Sequence, residues 1–252
     1  MKCAYPEKIE EDLIRLLPMV QYQGKVLIID KAEGIEDIIA EIKKEAILGF
    51  DTETRPSFKK GKQYKVSLLQ LAGKDCAWLF RLDYLKEHLS EIYSILADPN
   101  IIKAGVAVKG DISQLHQLLD FTAGGFCEVS DFSRNMGILN TGLKKLCGLF
   151  MGVRISKSVQ MSNWASETLN DRQVTYAATD AWISRELYLA LKKASDSGLY
   201  EKQTEYPPVK IAFISRLKNF FGSFSKSTKK AIKPKPKKNN FQKNKYNKNK
   251  KS

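Results

Sequence analysis

Ala46-Ile47-Leu48-Gly49-Phe50-Asp51-Thr52-Glu53 begins as an apolar run of strand type and ends on two acids. In a strand, residues two apart share a face. Asp51 and Glu53 therefore present paired carboxylates at the end of a buried strand. Burying two acids is costly unless a cation compensates them, and oxygen-only donors suit Mg²⁺ or Mn²⁺. An isolated Asp-x-Glu is more often a solvated strand end, so the reading turns on whether further acids converge on the same place.

Working outward, residues 25–30 read as an earlier strand and 34–44 as a helix with a stripe of Ile35, Ile38, Ile39 and Ile42. After a polar, Lys-rich loop, the apolar runs 66–72 and 76–82, split by Gly73-Lys74-Asp75, predict an antiparallel hairpin. Apolar spacing predicts a helix over 84–96, which Asp98-Pro99-Asn100 ends. A strand over 101–108 follows, then a short helix over 109–119, a short strand at 126–129 and a helix over 141–150. The plainest helix is 170–193, opened by the capping-box pair Asn170 and Gln173. Strands alternating with helices in this way indicate an α/β domain, a mixed sheet flanked by helices.

Two more acids stand out. Asp111 follows a strand and a Gly110 turn, where a helix N-terminus favours its charge, or where it acts as a plain N-cap. Asp180 sits among Ala178, Ala181, Trp182 and Ile183, an apolar setting for an acid, and shares a helix face with Tyr176 four residues before it.

Asp51-x-Glu53, Asp111 and Tyr176-x-x-x-Asp180, in this order, resemble the DEDD superfamily of 3′–5′ exonucleases, tyrosine subtype, to which ribonuclease D and the Werner-type exonuclease domain belong. Val66-Ser67-Leu68-Leu69-Gln70-Leu71, Lys103-Ala104-Gly105-Val106 and Ser162-Asn163-Trp164 resemble further stretches of the Werner-type domain, so the likeness spans 26–191. It departs at Thr54-Arg55, where an aromatic residue is common, and at Thr168, where proline is common. The resemblance implies a ribonuclease H-like fold, a five-stranded mixed sheet with helices on both sides. It also implies two Mg²⁺ or Mn²⁺ ions and release of nucleoside 5′-monophosphates from a nucleic-acid 3′ end. Asp51, Glu53 and Asp180 would hold one ion, with Asp51 bridging to a second that Asp111 reaches through water. Tyr176 would orient the attacking water. A non-catalytic nucleic-acid-binding module on the same fold is the competing expectation.

The formal charge of +14 is unevenly spread. Residues 207–252 hold 15 Lys and Arg and no acid, leaving 27 basic against 28 acidic residues before them. A near-neutral exonuclease domain over 1–206 with a basic tail over 207–252 points to a polyanionic partner, nucleic acid or an anionic membrane. Within the tail, 209–224 is a basic amphipathic stretch expected to dock on the domain itself, with a membrane surface or a partner groove as the less favoured alternatives. Residues 229–252 read as a solvated Lys/Asn-rich arm. Cys3, Cys76, Cys127 and Cys147 form no Cys-x-x-Cys pair, and the first residues have no apolar signal core, so a cytoplasmic protein with reduced thiols is expected. Lys109, Lys157 and the 59–62 lysines read as surface, with phosphate contact the less favoured alternative, Trp164 as core rather than a base-stacking platform, and His88 and His116 as uninvolved in the site.

Overall fold

The computed structural model describes residues 5–59, 61, 63–197 and 202–203. These fall in the first of two units, Met1–Lys210 and Ile211–Ser252. The readings made on 207–252 lie outside the described residues.

In chain order the elements are β1 (Tyr5–Pro6), α1 (Glu11–Leu16), β2 (Lys25–Ile29), α2 (Ile35–Ile42), β3 (Ile47–Thr54), β4 (Val66–Ala72) and β5 (Cys76–Arg81). A 3₁₀ turn (Lys86–His88) leads into α3 (Leu89–Ala97), then β6 (Ile102–Gly105), α4 (Val108–Leu115), β7 (Phe126–Glu128) and α5 (Val129–Asn135). The short α6 (Leu143–Leu146) runs on as a π-helix (Cys147–Met151), and α7 (Asp171–Asp196) and β8 (Lys202–Gln203) complete the series.

One sheet has the order β2-β5-β4-β3-β6-β7. The pairs β3–β4 and β4–β5 are antiparallel, and β2–β5, β3–β6 and β6–β7 are parallel. The sheet is mixed and flanked by helices, as expected, with six strands where the resemblance implies five, because all six runs read from the sequence join it. β4 and β5 lie inside the sheet and every residue of both is buried, which is why they read as continuous apolar runs rather than alternating ones.

The alternation of β3 divides the molecule. Leu48 and Phe50 point into the large core with Leu69, Leu71, Trp78 and Phe80, covered by α2, α3 and α4. Gly49, Asp51 and Glu53 point the other way, towards α7. There Ala178 and Ala181 pack with Ala72 and Ala77, while Ala177 and Tyr176 pack with Leu68, Leu79 and Trp164. Small residues on both sides let the helix lie close. A Cβ on Gly49 would collide with the Ala181 carbonyl oxygen, so only glycine fits. None of the described helices is long and apolar enough to cross a membrane.

Several boundaries differ from those expected. The strand expected over 101–108 stops at Gly105, because Ala107 takes a left-handed conformation (φ 65°) and turns the chain into α4 at Val108. Asp111 accordingly stands inside the first helical turn and is not a cap. The helix expected over 84–96 starts as a 3₁₀ turn, and that over 141–150 widens into π geometry from Cys147. Helices α1 and α5 were not foreseen.

Candidate active site

The central strand delivers its acids as its period requires. One carboxylate oxygen each of Asp51, Glu53 and Asp180 lies within 4.8 Å of the others, so β3 and α7 together gather three acids. Glu53 and Asp180 are buried and Asp51 is half-buried. A register shift between Glu53 and Thr54 ends the regular pairing of β3 with β4 just past the second acid.

Asp111 stands a step apart. Its Oδ1 accepts a 2.6 Å hydrogen bond from the Thr52 hydroxyl, while the Thr52 backbone N–H donates to Asp51 Oδ1 at 2.9 Å. One turn on, the Thr54 hydroxyl donates to Gln114 Oε1 at 3.1 Å. Two threonines that alternate with the acids thus clip α4 to the end of β3. The start of α4 is held from elsewhere: Glu128 accepts from the N–H groups of Ala107 (3.0 Å) and Val108 (2.9 Å), satisfying donors that the helix leaves open.

Tyr176 is placed by the beginning of α7. The Asn170 side chain accepts from the N–H groups of Arg172 and Gln173, and Gln173 Oε1 accepts from the Asn170 N–H, a complete capping box. The same Gln173 amide donates to Ser162 Oγ at 3.1 Å and to the Asn163 carbonyl at 3.2 Å. That seats the buried Trp164 with its ring 5.9 Å from Tyr176. Arg81, at the end of β5, secures the following residues by donating to the carbonyls of Ser166 and Glu167.

The electrostatics follow from crowding. Burial pushes Glu53 up to about 9, with Asp180 and Asp111 adding to the rise. Burial also raises Asp111 to about 6, against the Thr52 hydroxyl, which favours its charged form. Asp51 rises well above the carboxylate range, through burial and then the charges of Asp180, Asp111 and Glu53. Asp180 is raised by burial and partly relieved by the Tyr176 hydroxyl and the Lys157 charge. Burial and the neighbouring acids, Asp180 foremost, raise the Tyr176 phenol in turn. Four acids that disfavour one another's charge fit a site completed by a cation. Asp180 Oδ1 adds a direct sign, since it is buried with no hydrogen-bond partner. Three carboxylates and no nitrogen or sulfur donor suit a hard divalent ion.

All five residues singled out in the sequence are therefore at the end of β3 or on the helices facing it. Missed were Thr52, Thr54, Gln114 and Glu128, whose partners are distant in sequence; Lys157, read as a surface lysine, is exposed and its charge reaches Asp180. The histidines stay outside: His116 stacks on Phe121 at 4.7 Å and meets Asp120 at 2.7 Å, and His88 meets Glu91.

A mixed sheet with acids gathered at the end of its central strand, under a helix that adds an acid and a phenol, is the architecture of a metal-dependent nuclease. The sequence profile of the 3′–5′ exonuclease family matches residues 26–196. The chain belongs to the 3′–5′ exonuclease family. Among its relatives, the bifunctional 3′–5′ exonuclease/ATP-dependent helicase WRN of Mus musculus is 27% identical over 208 residues, covering 78% of this chain and 15% of that protein. The exonuclease 3′–5′ domain-containing protein 2 of Mus musculus is 36% identical over 162 residues, covering 60% of this chain and 25% of that one. The chain thus spans a minor part of the length of either relative. The Nibbler EXO domain of Aedes aegypti shares the fold, with a TM-score of 0.65 at 21% identity over 72% of this chain and 95% of that one. So does Escherichia coli RNase D, with a TM-score of 0.60 at 19% identity over 69% of this chain and 46% of that one.

Proposed function

We propose that this protein is a 3′–5′ exonuclease that hydrolyses the terminal phosphodiester of a nucleic-acid strand with two Mg²⁺ or Mn²⁺ ions. The observation that carries the reading is the meeting of Asp51, Glu53 and Asp180, together with a buried Asp180 oxygen that has no hydrogen-bond partner. These three residues would hold one ion, and Asp111, turned towards Asp51 through Thr52, would serve the second. When bound, the ions acidify the attacking water and offset charge on the phosphate.

The protein's own part is placement. Tyr176 remains a phenol at neutral pH, since burial and the surrounding acids raise it above its ordinary value near ~10. It therefore orients the attacking water and does not take its proton. Water gives one proton to solvent and attacks the terminal phosphorus, and the bond to the 3′ oxygen of the preceding nucleotide breaks. That oxygen leaves with a proton from solvent, and a nucleoside 5′-monophosphate departs. The basic 207–252 segment supports a polyanionic substrate, since the rest of the chain is near neutral. The crystal structure of Trypanosoma brucei RNase D in complex with RNA U12, which shares this fold (TM-score 0.61, 17% identity), supports nucleic acid as the ligand class.

The test is a time course on 3′- and 5′-labelled single strands and duplexes of DNA and RNA, with Mg²⁺, Mn²⁺ or EDTA. Shortening from the 3′ end that stops in EDTA and in Asp51→Ala is expected. EDTA-resistant hydrolysis, or full activity in Asp51→Ala, would overturn the reading.

A further inference from the structure

Gln70 is the one polar interruption of the apolar 68–72 stretch of β4, and it is completely buried. Neither its Nε2 nor its Oε1 has a hydrogen-bond partner. A primary amide carries two donors and an acceptor, and leaving such a group unmade inside a protein costs free energy that an apolar residue of the same size would not. The sheet register shows what lies beside it. Gln70 is directly opposite Asp51 on β3, and opposite Leu79 on β5. The neighbours Leu69 and Leu71 point into the large core, whereas Leu68 and Ala72 pack on the α7 side. Alternation therefore puts the Gln70 amide on the α7 face, the face that carries Asp51. Opposed side chains in an antiparallel ladder start from Cβ atoms about 4.5–5.5 Å apart, within reach of an amide and a carboxylate.

We infer that Gln70 is a positioning residue for Asp51: its Nε2 N–H donates to the Asp51 carboxylate when that group holds a cation, fixing which oxygen faces the ion. The inference rests on the metal-site reading above. It accounts for a costly amide at a place where packing alone calls for leucine or methionine. The Asp51 carboxylate is held on one side by the Thr52 backbone N–H, which fixes one oxygen only. A second donor from the neighbouring strand sets the plane of the group. Partners that orient metal ligands in this way are worth about 10–100-fold in metal affinity.

The experiment uses the full chain with Gln70→Met and Gln70→Leu, which keep the volume and remove the amide, and Asp51→Asn as the reference. Mn²⁺ affinity is measured by calorimetry and by the electron paramagnetic resonance signal of the bound ion, and melting temperature is measured in EDTA. Weakening of Mn²⁺ binding by about 10-fold or more, with an altered resonance signal and a metal-free melting temperature equal to or above that of the unaltered chain, is expected. A purely structural amide would instead lower the melting temperature and leave the Mn²⁺ affinity in place, which would overturn the inference. Mn²⁺ binding that Asp51→Asn abolishes and both Gln70 variants retain in full would overturn it alone. No Mn²⁺ binding by the unaltered chain would overturn it together with the metal-site reading.

Discussion

The hydroxyl of Thr52 donates to Asp111 at 2.6 Å, so the acid on α4 is registered against the strand that carries Asp51 and Glu53. Thr52 sits between those acids and points to the opposite side of β3. One residue thus couples Asp51, through its backbone N–H, and Asp111, through its side chain.

Thr52→Val keeps the shape and removes the hydroxyl, leaving Asp111 without the bond that favours its charged form. Activity at limiting Mn²⁺ should fall about 10–100-fold, the range for lost partners of metal ligands, and high Mn²⁺ should restore part of it. Hydrolysis measured across a Mn²⁺ series checks this, and an unchanged curve would remove Thr52 from the site.

Because the four acids are raised, the folded metal-free protein keeps protons that the unfolded chain loses above its ordinary carboxylate values near ~4. Their contribution to stability is full at low pH and is lost as pH rises through the folded values, about 6 for Asp111 and about 9 for Glu53. Urea unfolding in EDTA should therefore show declining stability from pH 5 to 9. Saturating Mn²⁺ should stabilise most at the alkaline end. A profile in EDTA that rises over this range would contradict the acid cluster.

Tyr176→Phe removes the phenolic hydroxyl and leaves the acids in place. Single-turnover hydrolysis should slow by about 10²–10⁴-fold, the usual worth of a group that positions or moves a proton, with Mn²⁺ affinity little changed. Asp180 loses a favourable neighbour at the same time, so its pKa should rise further. Unchanged turnover would reject the orienting role.

Gly49→Ala drives a methyl group into the Ala181 carbonyl of α7. The helix must move off the strand, taking Asp180 from Asp51, at about 1–3 kcal/mol of stability. Gly142→Ala is the control, since a Cβ there meets nothing within 4 Å and its φ is −76°. Melting curves and Mn²⁺ titrations should show losses in the first variant and neither loss in the second.

The acids were legible because strand and helix periods fix which side chains share a face, and β3 and α7 are long enough for those periods to show. Asp111 was placed in the first turn of its helix, with the helix start read within one residue of Val108. The turn before it uses Ala107 in a conformation that a residue with a Cβ rarely adopts, so nothing in the local sequence marked the end of the strand at Gly105. The π-helical stretch from Cys147 differs from an α-helix by one residue in its hydrogen bonding, too little to disturb the apolar spacing. Nothing in the local sequence says what Thr52 and Gln70 do. What each does depends on a partner supplied by tertiary pairing, Asp111 59 residues away in one case and the β3 register in the other.

The Gln173 amide closes the first turn of α7 and at once grips the Ser162 hydroxyl and the Asn163 carbonyl. Those two pieces of chain therefore cannot fray separately: releasing one strands polar groups of the other. Their backbone amides should exchange with solvent as one cooperative unit, in which Tyr176 is the functional passenger. Any outward movement of the 162–164 segment would therefore also loosen the turn that aims the phenol.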